Sequence, residues 1–207
     1  MTRINKMNSR LKLMVLVLVF MGIGSYGIKL FVTSPLEVSY ASQIEQFQKT
    51  GVPDFSIPRF DQALVKAGKI DPASVNYIKL LDYQNTVIIL NFWASWCEPC
   101  HVEYPSFVEL SKRYADDQRL KIIAVSMDDN FEAMNTFLTA GPQPSAKNFI
   151  AGIDVSGKLA ETYGTKKIPE TYIIGKDKKL VRKVLDQQNW ISPEFIEFLE
   201  TLMKVNK

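Results

Sequence analysis

Residues 87–100 read VIILNFWASWCEPC. The first seven are β-branched, aliphatic or aromatic except for Asn91, a run that predicts a short strand covered on both faces. The stretch closes on Cys97 and Cys100, separated by Glu98 and Pro99, and apolar residues at helical spacing follow. A buried strand thus hands a Cys-x-x-Cys pair to a helix N-terminus. Pro99 suits the start of that helix, where its missing N–H is not required.

That position favours thiol chemistry. The thiolate is the nucleophile, and a free cysteine has a pKa of about 8.5, so a reactive one needs its charge stabilised. The unpaired N–H groups and positive dipole end of a helix supply that stabilisation. Cys97 is expected there with its sulfur outward. Cys100, one turn further in, is expected nearer the core, where desolvation keeps it protonated. Such a pair suits exchange, the outer sulfur attacking and the inner one resolving the mixed disulfide. Glu98 puts a carboxylate beside the sulfurs and opposes ionisation of Cys97.

The composition narrows the uses of the pair. The chain has 207 residues, 46% hydrophobic, with two cysteines, one histidine and a formal net charge of +3. The charge is small and mixed along the chain, which argues against nucleic acid as a partner. A closed zinc site needs four ligands, whereas Cys97, Cys100 and His101 offer three within one turn, so no metal is expected. A structural disulfide across two residues would constrain little of the unfolded chain. Redox exchange through a Cys97–Cys100 disulfide, with no other cofactor, is the better use. His101, four residues after Cys97, is either a solvated polar position or a group able to lower the Cys97 pKa when protonated.

Outward from the centre, Arg3, Lys6, Arg10 and Lys12 precede the uncharged run from Leu13 to Ile28, and the apolar segment counted as a whole extends from Leu11 to Val32. It is about the 20 residues a bilayer crossing needs, with Lys29 snorkelling. Residues 1–33 therefore read as a cytoplasmic tail and a single-pass anchor, with the rest of the chain outside the membrane. A cleaved signal peptide is the rival, with Ser25 and Gly27 near a cleavage site. Either reading exports the remainder. Residues 34–51 read as a spacer helix, with Val38, Ile44 and Phe47 on one face. Residues 59–85 read as two short helical pieces split at Asp71-Pro72. After the cysteines, Val102, Phe107, Val108, Leu110 and Tyr114 form the helix stripe, Pro105 interrupting it. Leu120–Ser126 reads as a buried parallel strand, residues 128–140 as an amphipathic helix, and Ser192 as the cap of a last helix beginning at Pro193.

WASWCEPC resembles the active-site segment of the thioredoxin superfamily, and LNFWASWCEPCHVEYP its membrane-anchored extracytoplasmic branch, the TlpA/ResA/DsbE (CcmG) type. The segments VPDFSIP and DVSGKLAETYGTKKIPETYIIGKDKKLVRKVLD resemble other parts of the same branch. The resemblance implies a thioredoxin-like α/β domain over 52–207, a central mixed β-sheet flanked by helices on both faces, following an N-terminal membrane-spanning helix. In that branch a strand pair with a glycine turn is expected where 59–85 stands, so this segment is atypical. The resemblance further implies that Glu103, in the family's acidic position three after the second cysteine, accepts the Cys100 proton. It implies that Pro169 is cis and faces the cysteines, exposing the Ile168 backbone to a partner, and that Trp96 belongs to the docking surface while Trp93 is core. The implied activity is thiol:disulfide exchange in the periplasm, reducing protein disulfides. Pro169-Glu170-Thr171 resembles the cytochrome c maturation members, implying apocytochrome c as the substrate and a DsbD- or CcdA-type membrane protein as electron donor. Two rivals fit less well. A peroxiredoxin-like peroxidase needs a hydroxyl residue where Ala94 stands. A copper carrier of the Sco kind needs a longer gap between cysteines and a distant histidine.

Overall fold

A strand as apolar as Val87–Trp93 needs cover on both sides, and the rest of the chain supplies it. The structure, a computed structural model, describes Met14 and residues 17–21, 35–60, 76–145 and 147–205. The chain divides into two units, 1–43 and 44–207. In the first, Met14 and residues 17–21 are helical, with exposed apolar side chains. The remainder of the expected membrane-spanning segment lies outside the described residues, and among the described residues no helix is long and apolar enough to cross a membrane.

Helix α1 (Pro35–Thr50) runs into the second unit. There follow β1 (Ser56–Pro58), β2 (Tyr77–Lys79), a 3₁₀ turn (Leu80–Asp82), β3 (Val87–Trp93), α2 (Glu98–Arg113), β4 (Leu120–Ser126) and α3 (Phe131–Ala140). The chain continues through β5 (Phe149–Ile153), α4 (Lys158–Tyr163), β6 (Glu170–Ile174), β7 (Leu180–Leu185) and α5 (Pro193–Lys204). Five strands form one sheet in the order β5-β4-β3-β6-β7. β3 pairs parallel with β4 and antiparallel with β6, so the sheet is mixed, as expected.

Period-two alternation divides β3 between two cores. Val87, Ile89 and Trp93 face Phe107 and Val108 of α2, Met134 and Leu138 of α3, and Phe195 and Leu199 of α5. Ile88, Leu90 and Phe92 face the other way, with Ile57, Ile78, Leu159 and Tyr163. The last turns of α1 belong to this second core. Phe47 is buried there, its ring 5.7 Å from that of Tyr163. The Tyr163 hydroxyl in turn donates to the Pro53 carbonyl at 2.7 Å and ties down the opening segment of the domain.

Three local expectations are corrected. Tyr77–Lys79, read as helical, is a strand pairing antiparallel with β1, because burying only Ile78 of the three suits an edge pair better than a helical face. Residues 61–75, which carry the rest of that reading, lie outside the described residues. Helix α3 starts at Phe131 rather than at residue 128, since the Asn130 side chain caps it by accepting the Ala133 N–H at 2.9 Å. Asp128 is occupied elsewhere. Val102 is 60% exposed and does not join the α2 stripe.

One glycine is required by close approach. Gly152 of β5 bridges to Arg59 beyond the end of β1, and a Cβ there would stand 2.8 Å from the Ile57 and Ile78 side chains and 2.9 Å from the Pro58 carbonyl. Removing the side chain lets the small sheet lie against the large one.

Candidate active site

Strand β3 ends at Trp93, and four residues later Cys97 forms the N-cap of α2, its carbonyl accepting the N–H groups of Cys100 at 3.0 Å and His101 at 3.2 Å. Cys97 and Cys100 are joined, with an S–S distance of 2.04 Å. Trp96, Glu98 and Pro99 around them are exposed, Trp96 at 69%. The outward sulfur expected for Cys97 is not what this oxidised form has: Cys97 is 4% exposed and Cys100 3%. In the disulfide form Cys97 belongs to the cluster that holds Trp93, Tyr104 and Phe107, with Ile168 packed against it. The two sulfurs therefore differ in position and surroundings rather than in burial. Cys97 precedes the helix beside exposed neighbours, and Cys100 lies within it, facing Glu103.

The loop ahead of Cys97 is pinned by a residue that sequence reading left in a helix. Asp128, buried just after β4, accepts the Ser95 N–H with both oxygens at 3.1 Å and the hydroxyls of Ser95 and Ser126 at 2.7 Å each. His101 serves the same loop. Its Nε2 meets the Ser95 carbonyl at 2.6 Å, its Nδ1 lies 3.9 Å from Glu98, and its ring packs on Phe137. Nε2 is thus engaged by the loop backbone.

Glu103 sits on the helix face shared with Cys100, as i,i+3 spacing requires. It is 2% exposed. Oε1 accepts from Asn91 Nδ2 at 3.0 Å, and that amide donates its other hydrogen to the Thr171 hydroxyl at 2.9 Å. Oε2 accepts the Gln188 N–H at 3.2 Å and the Trp190 indole N–H at 3.1 Å. Burial disfavours the charged carboxylate, these three donors favour it, and burial wins: the Glu103 pKa is pushed up from the ordinary 4.5 to about 7. Cys100 and Glu103 line one cavity of about 10 Å³ with Asn91, Trp93, Tyr104 and Phe107, a space on the scale of a single water. Across it, a carboxyl that titrates near neutrality can exchange a proton with the inner sulfur.

The Ile168–Pro169 peptide bond is cis. It stands one position beyond the Phe92–Glu170 pair of the β3–β6 ladder, beside the end of the strand from which the cysteine loop departs. The loop into it is tied by Glu170, buried after the proline, which accepts the Lys166 N–H at 3.1 Å and pairs with Lys183 of β7. Pro169 is buried and Ile168 half-buried.

The fold thus gathers Cys97, Cys100, Glu103, Ile168 and Pro169 at one end of β3 and β6, with Trp96, Glu98 and Pro99 at the surface beside them. Sequence reading missed Asp128, Gln188 and Trp190. Asp128 had a faint signal, an acidic residue just past a buried strand. Trp190 had none, being a tryptophan among polar loop residues far along the chain. Among the described residues no group of three His, Cys, Asp or Glu side chains is arranged to hold a metal ion.

Comparison with known proteins agrees with this geometry. The model of the AhpC/TSA family matches residues 41–183. Over 111 residues the chain is 33% identical to the thiol-disulfide oxidoreductase ResA of Bacillus thuringiensis subsp. konkukian, covering 54% of this chain and 61% of ResA. Over 95 residues it is 37% identical to the thiol:disulfide interchange protein CycY of Rhizobium leguminosarum bv. viciae, covering 46% of this chain and 47% of CycY. The matches therefore span about half to three-fifths of these relatives. A crystal structure described as a DsbE thiol:disulfide interchange protein from Chlorobium tepidum superposes with a TM-score of 0.60 at 22% identity, over 74% of this chain and 95% of the other. At that identity the likeness establishes the thioredoxin-like fold.

Proposed function

The chain belongs to the AhpC/TSA family, and on that premise we propose that it is a thiol:disulfide oxidoreductase that reduces disulfides of partner proteins outside the cytoplasmic membrane. The observation that carries this reading is the Cys97–Cys100 disulfide at a helix N-terminus, sharing a water-sized cavity with a buried carboxyl that titrates near neutrality. In the reduced protein the Cys97 thiolate, favoured by the N-terminus of α2, attacks one sulfur of a partner disulfide. A mixed disulfide forms and the partner's other sulfur leaves as a thiolate, taking up a proton. Glu103 then takes the Cys100 proton, and the Cys100 thiolate attacks the Cys97 sulfur. The Cys97–Cys100 bond forms, the mixed disulfide breaks, and the partner departs with both sulfurs reduced. Two electrons have passed to the partner, and a dithiol donor must return them to the chain.

Glu98 beside Cys97 raises the energy of its thiolate, which favours giving electrons over withdrawing them. Ala94, which has no hydroxyl, stands three residues before Cys97, where a peroxidase would need one. The Ile168 backbone, beside the end of β3 from which the cysteine loop departs, is the edge for an extended partner segment to pair with, and Trp96 offers an exposed apolar surface next to Cys97. Export, a retained anchor at 1–33, apocytochrome c as the partner and a DsbD- or CcdA-type donor complete the proposal. Export and the anchor are supported by the basic, apolar N-terminal sequence, and the partner and donor by the resemblance of Pro169-Glu170-Thr171 to the cytochrome c maturation members.

Cys97→Ala is expected to abolish dithiothreitol-coupled reduction of a protein disulfide, and Cys100→Ser to accumulate mixed disulfides at Cys97 when expressed in cells. Wild-type turnover in Cys97→Ala, or Cys100→Ser without trapped partners, refutes the exchange reading. The identity of the trapped proteins decides between apocytochromes and other exported substrates.

A further inference from the structure

Glu103 is gripped from a part of the chain that the exchange chemistry leaves unused, the turn between β7 and α5. Trp190 lies in it, 1% exposed, stacked on Phe107 at 4.6 Å and edge-on to Phe195 at 4.9 Å, so its indole has one fixed orientation. Ser106 locks the same turn to α2. Its hydroxyl donates to the Glu103 backbone carbonyl at 2.7 Å and accepts the Trp190 backbone N–H at 3.1 Å. The Trp190 indole N–H and the Gln188 backbone N–H both end on Oε2 of Glu103. A carboxylate oxygen has two lone pairs in the plane of the group, and on Oε2 both are engaged by donors. Oε1 accepts a single donor, from Asn91, and keeps a lone pair.

We infer that Trp190 is a positioning residue for thiol exchange: with Gln188 it closes Oε2 to protonation and directs the exchanged proton to Oε1. This rests on the role of Glu103 proposed above. Trp190 acts through Glu103 and has no contact with substrate in this scheme. Its N–H bonds the ionised form more strongly than the neutral acid, so it also sets how readily the carboxyl ionises. The titratable groups lining the cavity with Glu103 are Cys100, held in the disulfide, and Tyr104, whose hydroxyl burial pushes up to about 12. From β3 and β6 the facing groups are the neutral side chains of Asn91 and Thr171.

The test uses the oxidised full-length protein and reads Glu103 directly, through the infrared carbonyl stretch of its protonated carboxyl as a function of pH. Glu103→Gln should remove the band and assign it. Trp190→Phe keeps the stacked ring and deletes the N–H, and should move the midpoint upward by about one pH unit, the shift a lost hydrogen bond to a charged group produces. The pH optimum for reducing a protein disulfide should move with it, and Trp190→Phe should leave the pH profile of Glu103→Gln unchanged. A midpoint that stays put in Trp190→Phe overturns the inference. If Glu103→Gln itself leaves the pH profile of exchange untouched, the role of Glu103 fails instead. Should Trp190→Phe not fold, ¹⁵N-indole spectra of the wild type decide: one of its three tryptophan N–H signals must titrate with the midpoint of the band, and its failure to do so overturns the inference.

Discussion

Replacing Glu103 by glutamine should make the oxidised protein more stable in base than the wild type, by an amount that grows with pH. In the unfolded chain this carboxyl ionises at the ordinary 4.5, whereas burial raises it to about 7 in the fold. The folded state therefore holds a proton that the unfolded state has already released, and stability falls as pH rises between those values. The shift, at about 1.36 kcal/mol per pH unit, makes ionised Glu103 roughly 3 kcal/mol less favourable in the folded than in the unfolded chain. Its full contribution is present below pH 4.5 and has been lost once pH passes about 7. Glutamine removes this titration while offering an oxygen to the Gln188 and Trp190 donors, and the Asn91 amide can turn to meet its NH₂ group. Urea unfolding of both proteins from about pH 4 to about pH 8 checks it. Using the disulfide form silences the thiols, and shared titrations cancel in the difference. The gap in favour of Glu103→Gln should widen by roughly 3 kcal/mol across that range. A gap that stays constant with pH refutes the reasoning, since the carboxyl would then ionise alike in both states.

Two further outcomes follow from the geometry. Gly152→Ala should lower unfolding free energy by about 1–3 kcal/mol, because the new methyl meets the Pro58 carbonyl as well as movable side-chain tips; urea midpoints measure it, and an unchanged midpoint would mean the small sheet is not held against β5. Asp128→Ala strands the N–H and hydroxyl of Ser95 and the hydroxyl of Ser126. It should cost at least about 2 kcal/mol and slow the reaction of Cys97 with a disulfide probe, and retention of both wild-type values would show that the loop before Cys97 needs no such pin.

Wherever a signal is local, the chain announces it. Six apolar residues among the seven of Val87–Trp93 force a strand buried on both faces, Pro99 marks the first turn of the following helix, and Ser192-Pro193 starts the last one, because strand burial and helix caps depend on neighbours a few residues away. The pairing of Cys97 with Cys100 and the helical step from Cys100 to Glu103 are local in the same sense. Where polar partners meet across the fold, nothing nearby foretells them. Asn91 joins Glu103 to Thr171 eighty positions on, and Trp190 reaches Glu103 from eighty-seven away. Only the packing of α2 against β3 and the β7–α5 turn decides that this carboxyl is buried, which oxygen receives which donor, and hence that it titrates near neutrality. Burial was likewise beyond local reading at Cys97: a place at a helix N-terminus suggests an outward sulfur, whereas in the disulfide form the residue is buried among Trp93, Tyr104 and Phe107. A thiol pair can be recognised from its spacing, but the energy of its protons belongs to the buried space that distant segments close around it.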